Sequence, residues 1–500
     1  MSTTSRAISN SFYLFFDWFA LTVFGYLFWV VLGKMLPPAD VGMFSTITNL
    51  AWTILGFSFL GLNYSIIKLL SEYQAKGEQE KLQGTIRWTS KVILGGNALL
   101  ALIIFLLAPQ IASFGYLDAT AIRLLALTLV SVAALLLTSN LLYSLQKMRP
   151  LLTTDALMAF TKIILAALLI FLGFGYLGAV MGFVLSVLAF SLLRFKWLPL
   201  AKGVIEKKRI WRYALSAYFG DFGRMAISQG NIVVLSFLAP MASVGIFSLV
   251  FMLTTPMRVV PQVLSNAIMP IISQKWALNE KESIDAIITQ AFKYSLFITV
   301  PVLLGFTVFS KEMILLMATS QYFGGIAILP ILSAAYFLYG IASIFTGALY
   351  YTGKPNTNRD VSLAAGLLNL ALCVALIPTF GITGAAAAFL ASAALMFAAS
   401  LYMLLRHLHI SLARRPMAKI LLSSAVFIAL VLWLKTVLGS SLEAMLLNLA
   451  FSFTLYVALL LLIRFFDEAD ASTLGVLKSM APKRLKWAVA ITEKALRKFI

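Results

Sequence analysis

The sequence predicts an all-α polytopic membrane protein: about 14 transmembrane helices, in two parallel six-helix repeats around a central cavity plus two C-terminal helices. Three observations carry that expectation. The first is composition. Of 500 residues, 61% are apolar and 12% charged, about half the ~25% charged share of a soluble domain. Such a chain is neither soluble nor disordered. Its single cysteine, Cys373, allows no intrachain disulfide and no cysteine-built metal site. The second observation is that the apolar residues fall into windows of about 20, the length that crosses a bilayer. The third is an internal repeat.

The windows lie near 11–34, 42–68, 89–113, 122–146, 153–173, 177–198, 213–238, 243–272, 287–309, 325–352, 361–379, 382–405, 418–438 and 443–465. The opening MSTTSRAISNSF runs into an apolar stretch without a small-residue cleavage site, so it reads as a first span and not a removable signal. An even number of crossings puts both termini on one side. With the N-terminus in the cytoplasm, 33 of the 39 Lys and Arg residues fall on the cytoplasmic side. Four (Lys34, Arg123, Lys311, Lys435) fall opposite, and two (Arg224, Arg258) fall within spans. That asymmetry over short loops sets orientation. The +20 net charge is therefore a topology signal, answered by anionic lipid rather than nucleic acid.

The repeat shows as matched segments at nearly constant offset. PPADVGMFS (37–45) aligns with PMASVGIFS (240–248), and Asn63 with Asn266, both at 203. Asp17 aligns with Asp221 at 204, FGYLGAVMGFVLS (174–186) with FGITGAAAAFLAS (380–392) at 206, and Tyr143 and Lys147 with Tyr350 and Lys354 at 207. Six helices per repeat give both halves one orientation, with an axis along the membrane normal and the substrate path between them. The expected divisions are 1–200 and 201–410 for the two bundles, 411–466 for the last two helices and 467–500 for a cytoplasmic tail.

Polar residues inside spans carry the functional reading, because ionisable groups there normally face a cavity. The seventh window carries Asp221, Arg224, Ser228 and Asn231 on one face, and the first carries Asn10, Tyr13 and Asp17. The second aligns Thr46, Asn49, Thr53 and Asn63; the eighth aligns Thr254, Arg258, Gln262 and Asn266. These four helices are expected to line a wet cavity. Arg258 stands between Pro256 and Pro261, where a bend is expected. A bend beside a buried cation suits an anion site at the midplane. The plain alternative for Asp221 and Arg224 is mutual neutralisation one turn apart.

Other candidates read as structural. Asp155 is expected to cap its helix, Lys162 to snorkel, Arg194 to join the basic cytoplasmic loop, and His407 and His409 to join a solvated cluster with Arg406, Arg414 and Arg415. The small-residue run GAAAAFLASAALMFAAS allows close helix packing. In the tail, Leu485, Val489, Leu496 and Phe499 share a face flanked by Lys483, Lys486, Lys494 and Lys498, as in a basic amphipathic helix on the membrane surface. The sequence shows no glycine-rich phosphate loop, metal-ligand cluster or catalytic triad, and the outer loops are too short for a catalytic domain.

The segments FLGLNYSIIKLLSEYQAKGE (59–78), PIISQKWALNE (270–280), QYFGGIAILPILSAAYFL (321–338), YYTGKPNTN (350–358) and FGITGAAAA (380–388) resemble polysaccharide-biosynthesis flippases. Those are Wzx-type transporters of the multidrug/oligosaccharidyl-lipid/polysaccharide superfamily, and the resemblance covers nearly the whole chain. It implies a non-enzymatic flippase for a polyprenyl-pyrophosphate-linked oligosaccharide destined for O-antigen (lipopolysaccharide), capsule or exopolysaccharide. It implies alternating access in a prokaryotic cytoplasmic membrane, no bound cofactor and a proton or sodium gradient as the energy source. A polysaccharide polymerase or chain-length machinery is the implied protein partner. In related lipid II flippases the last two helices form a lipid-tail groove, and the same is expected here. On this reading Arg224 and Arg258 attract the pyrophosphate, Asn63, Asn266, Gln262 and Asn231 line the cavity, and Asp17 and Asp221 couple the ion. The rivals are a lipid II flippase, a drug/cation antiporter of the same superfamily, and a membrane glycosyltransferase or polymerase. The last needs outer-face catalytic groups, where only Asp40, Asp118, Glu312 and Glu443 are scattered.

Overall fold

A computed structural model of the chain describes residues 3–113, 117–408 and 414–466, and regular structure among them is helical throughout. The helices are α1 (Thr3–Met35), α2 (Pro38–Ser58), α3 (Leu62–Lys76), α4 (Gln79–Leu106), α5 (Ala108–Ala112), α6 (Ala119–Ser144), α7 (Met148–Leu169), α8 (Gly175–Arg194) and α9 (Lys207–Leu238). They continue as α10 (Met241–Leu253), α11 (Pro256–Ala277), α12 (Lys281–Val308), α13 (Ser310–Met317), α14 (Ile328–Tyr351), α15 (Pro355–Leu408), α16 (Arg414–Leu438) and α17 (Leu442–Leu462). Local chemistry sets several starts. Pro38 opens α2 where its missing N–H costs nothing, and the Asp118 carboxylate caps α6 by accepting from the Ala121 N–H at 2.9 Å.

Among the described residues, nine helical stretches are long and apolar enough to cross a membrane. The number is eleven when α2 with α3 and α10 with α11 are each joined across a short break. Two of the nine, Met148–Trp197 and Pro355–Leu408, have 50 and 54 residues, far beyond the ~20 of one crossing. Both are hairpins. One turns at Gly175 (φ 52°, ψ −135°) and the other at Gly381 (φ 56°, ψ −131°), backbone that favours glycine. Reaching the expected fourteen requires reading each hairpin as two crossings and α9 as one more.

The aligned segments adopt matching local structures. The two hairpin glycines are equivalents at the 206 offset, and in each hairpin a second glycine, Gly178 or Gly384, packs so closely on the opposing leg that a Cβ would collide with its backbone. Left-handed Gln146 (φ 54°) and Gly353 (φ 84°) end α6 and α14 alike. In each, a lysine N–H closes the last turn, Lys147 to the Leu142 carbonyl and Lys354 to the Leu349 carbonyl, both at 2.9 Å. Where α2 meets α10 the equivalents touch each other. The Ser45 hydroxyl donates to the Ser248 oxygen at 2.6 Å. A Cβ on Gly42 would strike the Met241 carbonyl, and one on Gly245 would strike the Pro38 carbonyl. Reciprocal contact between equivalent residues marks a local twofold axis.

The chain divides into two compact units. Of the described residues, unit 1 comprises those up to Thr255 with Ile314–Ala335 and Asn356–Met396; unit 2 comprises Pro256–Met313, Tyr336–Pro355 and those from Phe397 to Phe466. Lipid tails are as apolar as leucine, so packing in each unit relies on close approach of small residues. Ala385, Ala386, Ala388, Ser392 and Ala393 of the small-residue run are all buried, while Leu99, Leu102, Ile103 and Leu106 of α4 face outward.

In unit 1 the 198–206 linker is clamped by charge. The Glu206 carboxylate accepts from the Tyr73 hydroxyl at 2.8 Å and pairs with Lys81 and Arg209 at 3.1 and 3.2 Å. Those partners, Tyr73 foremost, hold the Glu206 carboxyl down at about 2. Arg209 also reaches both oxygens of Glu72 at 2.8 Å. The tail from Asp467, His409, and the side chains of Arg414, Asn10 and Asp221 lie outside the described residues.

Candidate functional site

The expected site residues separate by unit. Arg258, Gln262 and Asn266 lie on α11 in unit 2, at i, i+4 and i+8 on one face. Pro256 restarts the helix after a break at Thr254–Thr255, so the expected interruption beside Arg258 is present, and it leaves Thr254 in the break, at the cap of α10. The buried face of α11 is Met257, Pro261, Ser265, Met269 and Ile272, and Gln262 and Asn266 stand exposed off it. Arg258 is half-buried. Its guanidinium lies 5.9 Å from the Tyr336 ring, and its Nε is buried without a hydrogen-bond partner among the described residues. Gly340 lets α14 close onto the Arg258 backbone, with only 3.1 Å available to a Cβ there.

Unit 2 also holds an apolar cavity of about 290 Å³ between α12, α16 and α17, lined among others by Pro301, Gly305, Phe306, Phe427, Leu449 and Phe453. Lys435 on α16 pairs with Glu312 at 3.1 Å and donates to the Val308 carbonyl at 2.7 Å, tying α16 to the α12–α13 junction.

Unit 1 contains a charged cluster that the sequence reading did not assemble. Arg194, in the last turn of α8, is fully buried. Its Nε donates to the Thr154 hydroxyl at 2.8 Å, one terminal nitrogen to the Ser139 hydroxyl at 2.7 Å, and the other to the Asp155 carboxylate. Arg194 is thus not part of the solvated loop. Asp155 caps nothing, since α7 begins at Met148 and its capping position is Lys147. Both are corrections with one cause: the two charges satisfy each other inside the bundle. Asp17 of α1 faces this pair and leaves its Oδ1 buried without a donor. Two carboxyls thus flank one guanidinium.

Lys162 stands two turns further along the same face of α7. Asp155, Ala159 and Ala166, which share its spacing, are buried, whereas Leu157, Phe160, Ile164 and Leu168 face outward. Its ammonium does not snorkel. It lies 4.5 Å from the Phe28 ring and 5.8 Å from the Phe183 ring. Cation–π contacts return about 0.5–2 kcal/mol, and a mid-membrane charge costs at least about 2.5–3.5 kcal/mol. The rings alone do not balance the charge.

The remaining expected residues have other surroundings. Asn63 lies past a 60° bend at Phe59–Gly61, on α3, and so does not continue the Thr46–Asn49–Thr53 face of α2. Asn231 is fully buried, donates to the Ile227 carbonyl at 3.2 Å and accepts from the Cys373 thiol at 3.1 Å, so it is an interhelical packing contact. Arg224 is exposed on α9. Arg194, Asp155 and Lys162 were legible only as the 155/159/162/166 spacing and as an arginine ending an unbroken apolar run.

Residues 7–276, more than half of the chain, match the profile of the polysaccharide biosynthesis protein family. The chain belongs to that family. A profile for the lipid II flippase MurJ matches residues 215–458. The "Probable low-salt glycan biosynthesis flippase" of Haloferax volcanii is 23% identical over 256 residues, covering 51% of this chain and 54% of that protein. The chain therefore spans about half the length of that relative. Among solved structures, the lipid II flippase MurJ in an inward closed conformation superposes with a TM-score of 0.71 at 18% identity, over 90% of this chain and 98% of that one. An inward-facing multidrug resistance transporter of the MATE family, of the MOP superfamily, gives 0.65 at 15% identity, over 78% and 96%. This polysaccharide biosynthesis protein is a multi-pass membrane protein with the fold those transporters share.

Proposed function

We propose that the chain is a flippase carrying a polyprenyl-pyrophosphate-linked oligosaccharide from the inner to the outer leaflet of a prokaryotic cytoplasmic membrane, for surface-polysaccharide assembly. It works by alternating access with both termini in the cytoplasm. The observation that carries this reading is Arg258, a guanidinium whose Nε is buried and unpartnered beside an interruption of its span. Guanidinium groups make paired, charge-assisted contacts with phosphate oxygens. Gln262 and Asn266, exposed on the same face, offer hydrogen bonds to sugar hydroxyls. The apolar cavity between α12, α16 and α17 suits the lipid chain, which never needs to enter water.

The energy comes from a proton or sodium gradient, taken up where Asp17 leaves an uncompensated charge beside Asp155 and Arg194, with Asp221 as the equivalent in the second repeat. The glycan's bonds are unchanged throughout, so the protein is a transporter and not an enzyme. A lipid II flippase is the second reading, favoured by the profile match over residues 215–458. Flipping measured in vesicles with Arg258→Ala should fall about tenfold or more, the scale of one lost charge-assisted contact. Unchanged flipping would remove Arg258 from the mechanism. Glycan bond formation by the purified protein would instead establish a transferase.

A further inference from the structure

Lys162 has an aromatic setting in unit 1 and no counter-charge among the described residues. Phe28 of α1 and Phe183 of α8 lie 4.5 and 5.8 Å from its ammonium. Phe44 of α2 braces both rings, with centroids 5.4 and 6.1 Å away. Ring faces attract the cation but leave its three N–H donors without conventional acceptors. No carboxylate, carbonyl or hydroxyl among the described residues contacts the ammonium. The residue as a whole is half-buried. Methionine would fill the same space with no charge to compensate.

We propose that Lys162, held between Phe28 and Phe183, binds an anionic oxygen group, phosphate or carboxylate, of the transported lipid-linked glycan. This rests on the flippase reading and adds to it an anion site in unit 1 separate from Arg258. The amine approaches as a point charge with rotatable donors, suited to a single oxygen rather than to a planar fork.

The test uses full-length protein in lipid nanodiscs for equilibrium binding of inorganic pyrophosphate and of glucuronate. Vesicles then report flipping of two polyprenyl-pyrophosphate glycans, one neutral and one carrying a uronic acid. Lys162→Met should weaken anion binding about tenfold or more, whereas Lys162→Arg, which keeps the charge, should stay within about threefold of the wild type. A flipping loss confined to the uronate glycan assigns the carboxylate; a loss on both assigns the pyrophosphate. Either result upholds the site. If the wild type binds an anion through Lys162 yet flips neither glycan, the flippase reading falls and the site stands. If Lys162→Met binds and flips as the wild type does, the site falls and the reading stands. Equal losses in Lys162→Met and Lys162→Arg, or a wild type that binds neither anion, also overturn it. Melting temperatures at or above the wild-type value show that Lys162→Met is folded.

Discussion

Arg194 and Arg258 carry the same side chain into the apolar part of the same protein and meet opposite surroundings. Arg194 is fully buried with donors placed on Thr154, Ser139 and Asp155. Arg258 has an aromatic ring at 5.9 Å and an Nε with no partner among the described residues. A guanidinium bonded through all three of its nitrogens holds three helices together. An unsaturated one carries a cost that only a ligand or water removes. The difference separates stability from transport, and mutation can break it.

The largest effect should come from Arg194→Ala. Removing one partner of a buried pair leaves Asp155 charged and unmatched, at about 3–5 kcal/mol. The melting temperature in detergent should drop sharply, and the double change Arg194→Met with Asp155→Leu should recover most of it. If Arg194→Ala melts like the wild type, the pair is not structural. Next, Gly42→Ala and Gly245→Ala each force a Cβ into a facing carbonyl, at roughly 1–3 kcal/mol apiece. The two losses should be nearly equal, and a strongly unequal pair would argue against the local twofold. Arg258→Ala should leave the melting point within a degree or two while transport falls, and loss of stability comparable to Arg194→Ala would abolish the contrast between them.

The smallest effect belongs to the linker clamp. Glu206→Gln should cost about 0.2–1 kcal/mol, as partly exposed ion pairs do. The Glu206 carboxyl titrates at about 2 in the folded chain, down from 4.5. A depressed folded value means the contribution is complete above about pH 4.5 and fades as pH falls toward 2. The melting difference between wild type and Glu206→Gln should therefore shrink from pH 6 to pH 3. A difference that grows over that range would show the opposite linkage.

Legibility followed the range of the interaction. Periodicity, the repeat and its hairpin glycines were visible because each depends on residues a few positions apart or at one fixed offset. Arg258 was visible for the same reason: prolines flank it within three residues. Arg194, Asp155 and Lys162 were misread because the groups that decide their roles stand 21 or more residues away, on other helices. Two further features were not legible: the contact of Asn231 with Cys373 and the 60° bend that places Asn63 on a second helix.

The sequence by itself determined that this is a helical membrane protein, that it is built twice, and which few polar residues its spans retain. The bilayer enforces that much, because every apolar window must satisfy its own backbone and every repeat must fold alike. Only the tertiary structure decided which of those polar residues are spent. Whether a buried charge is paired or available depends on what a neighbouring helix brings to within about 3 Å. Arg194 is spent, whereas the Arg258 Nε and the Lys162 ammonium meet no hydrogen-bond acceptor among the described residues.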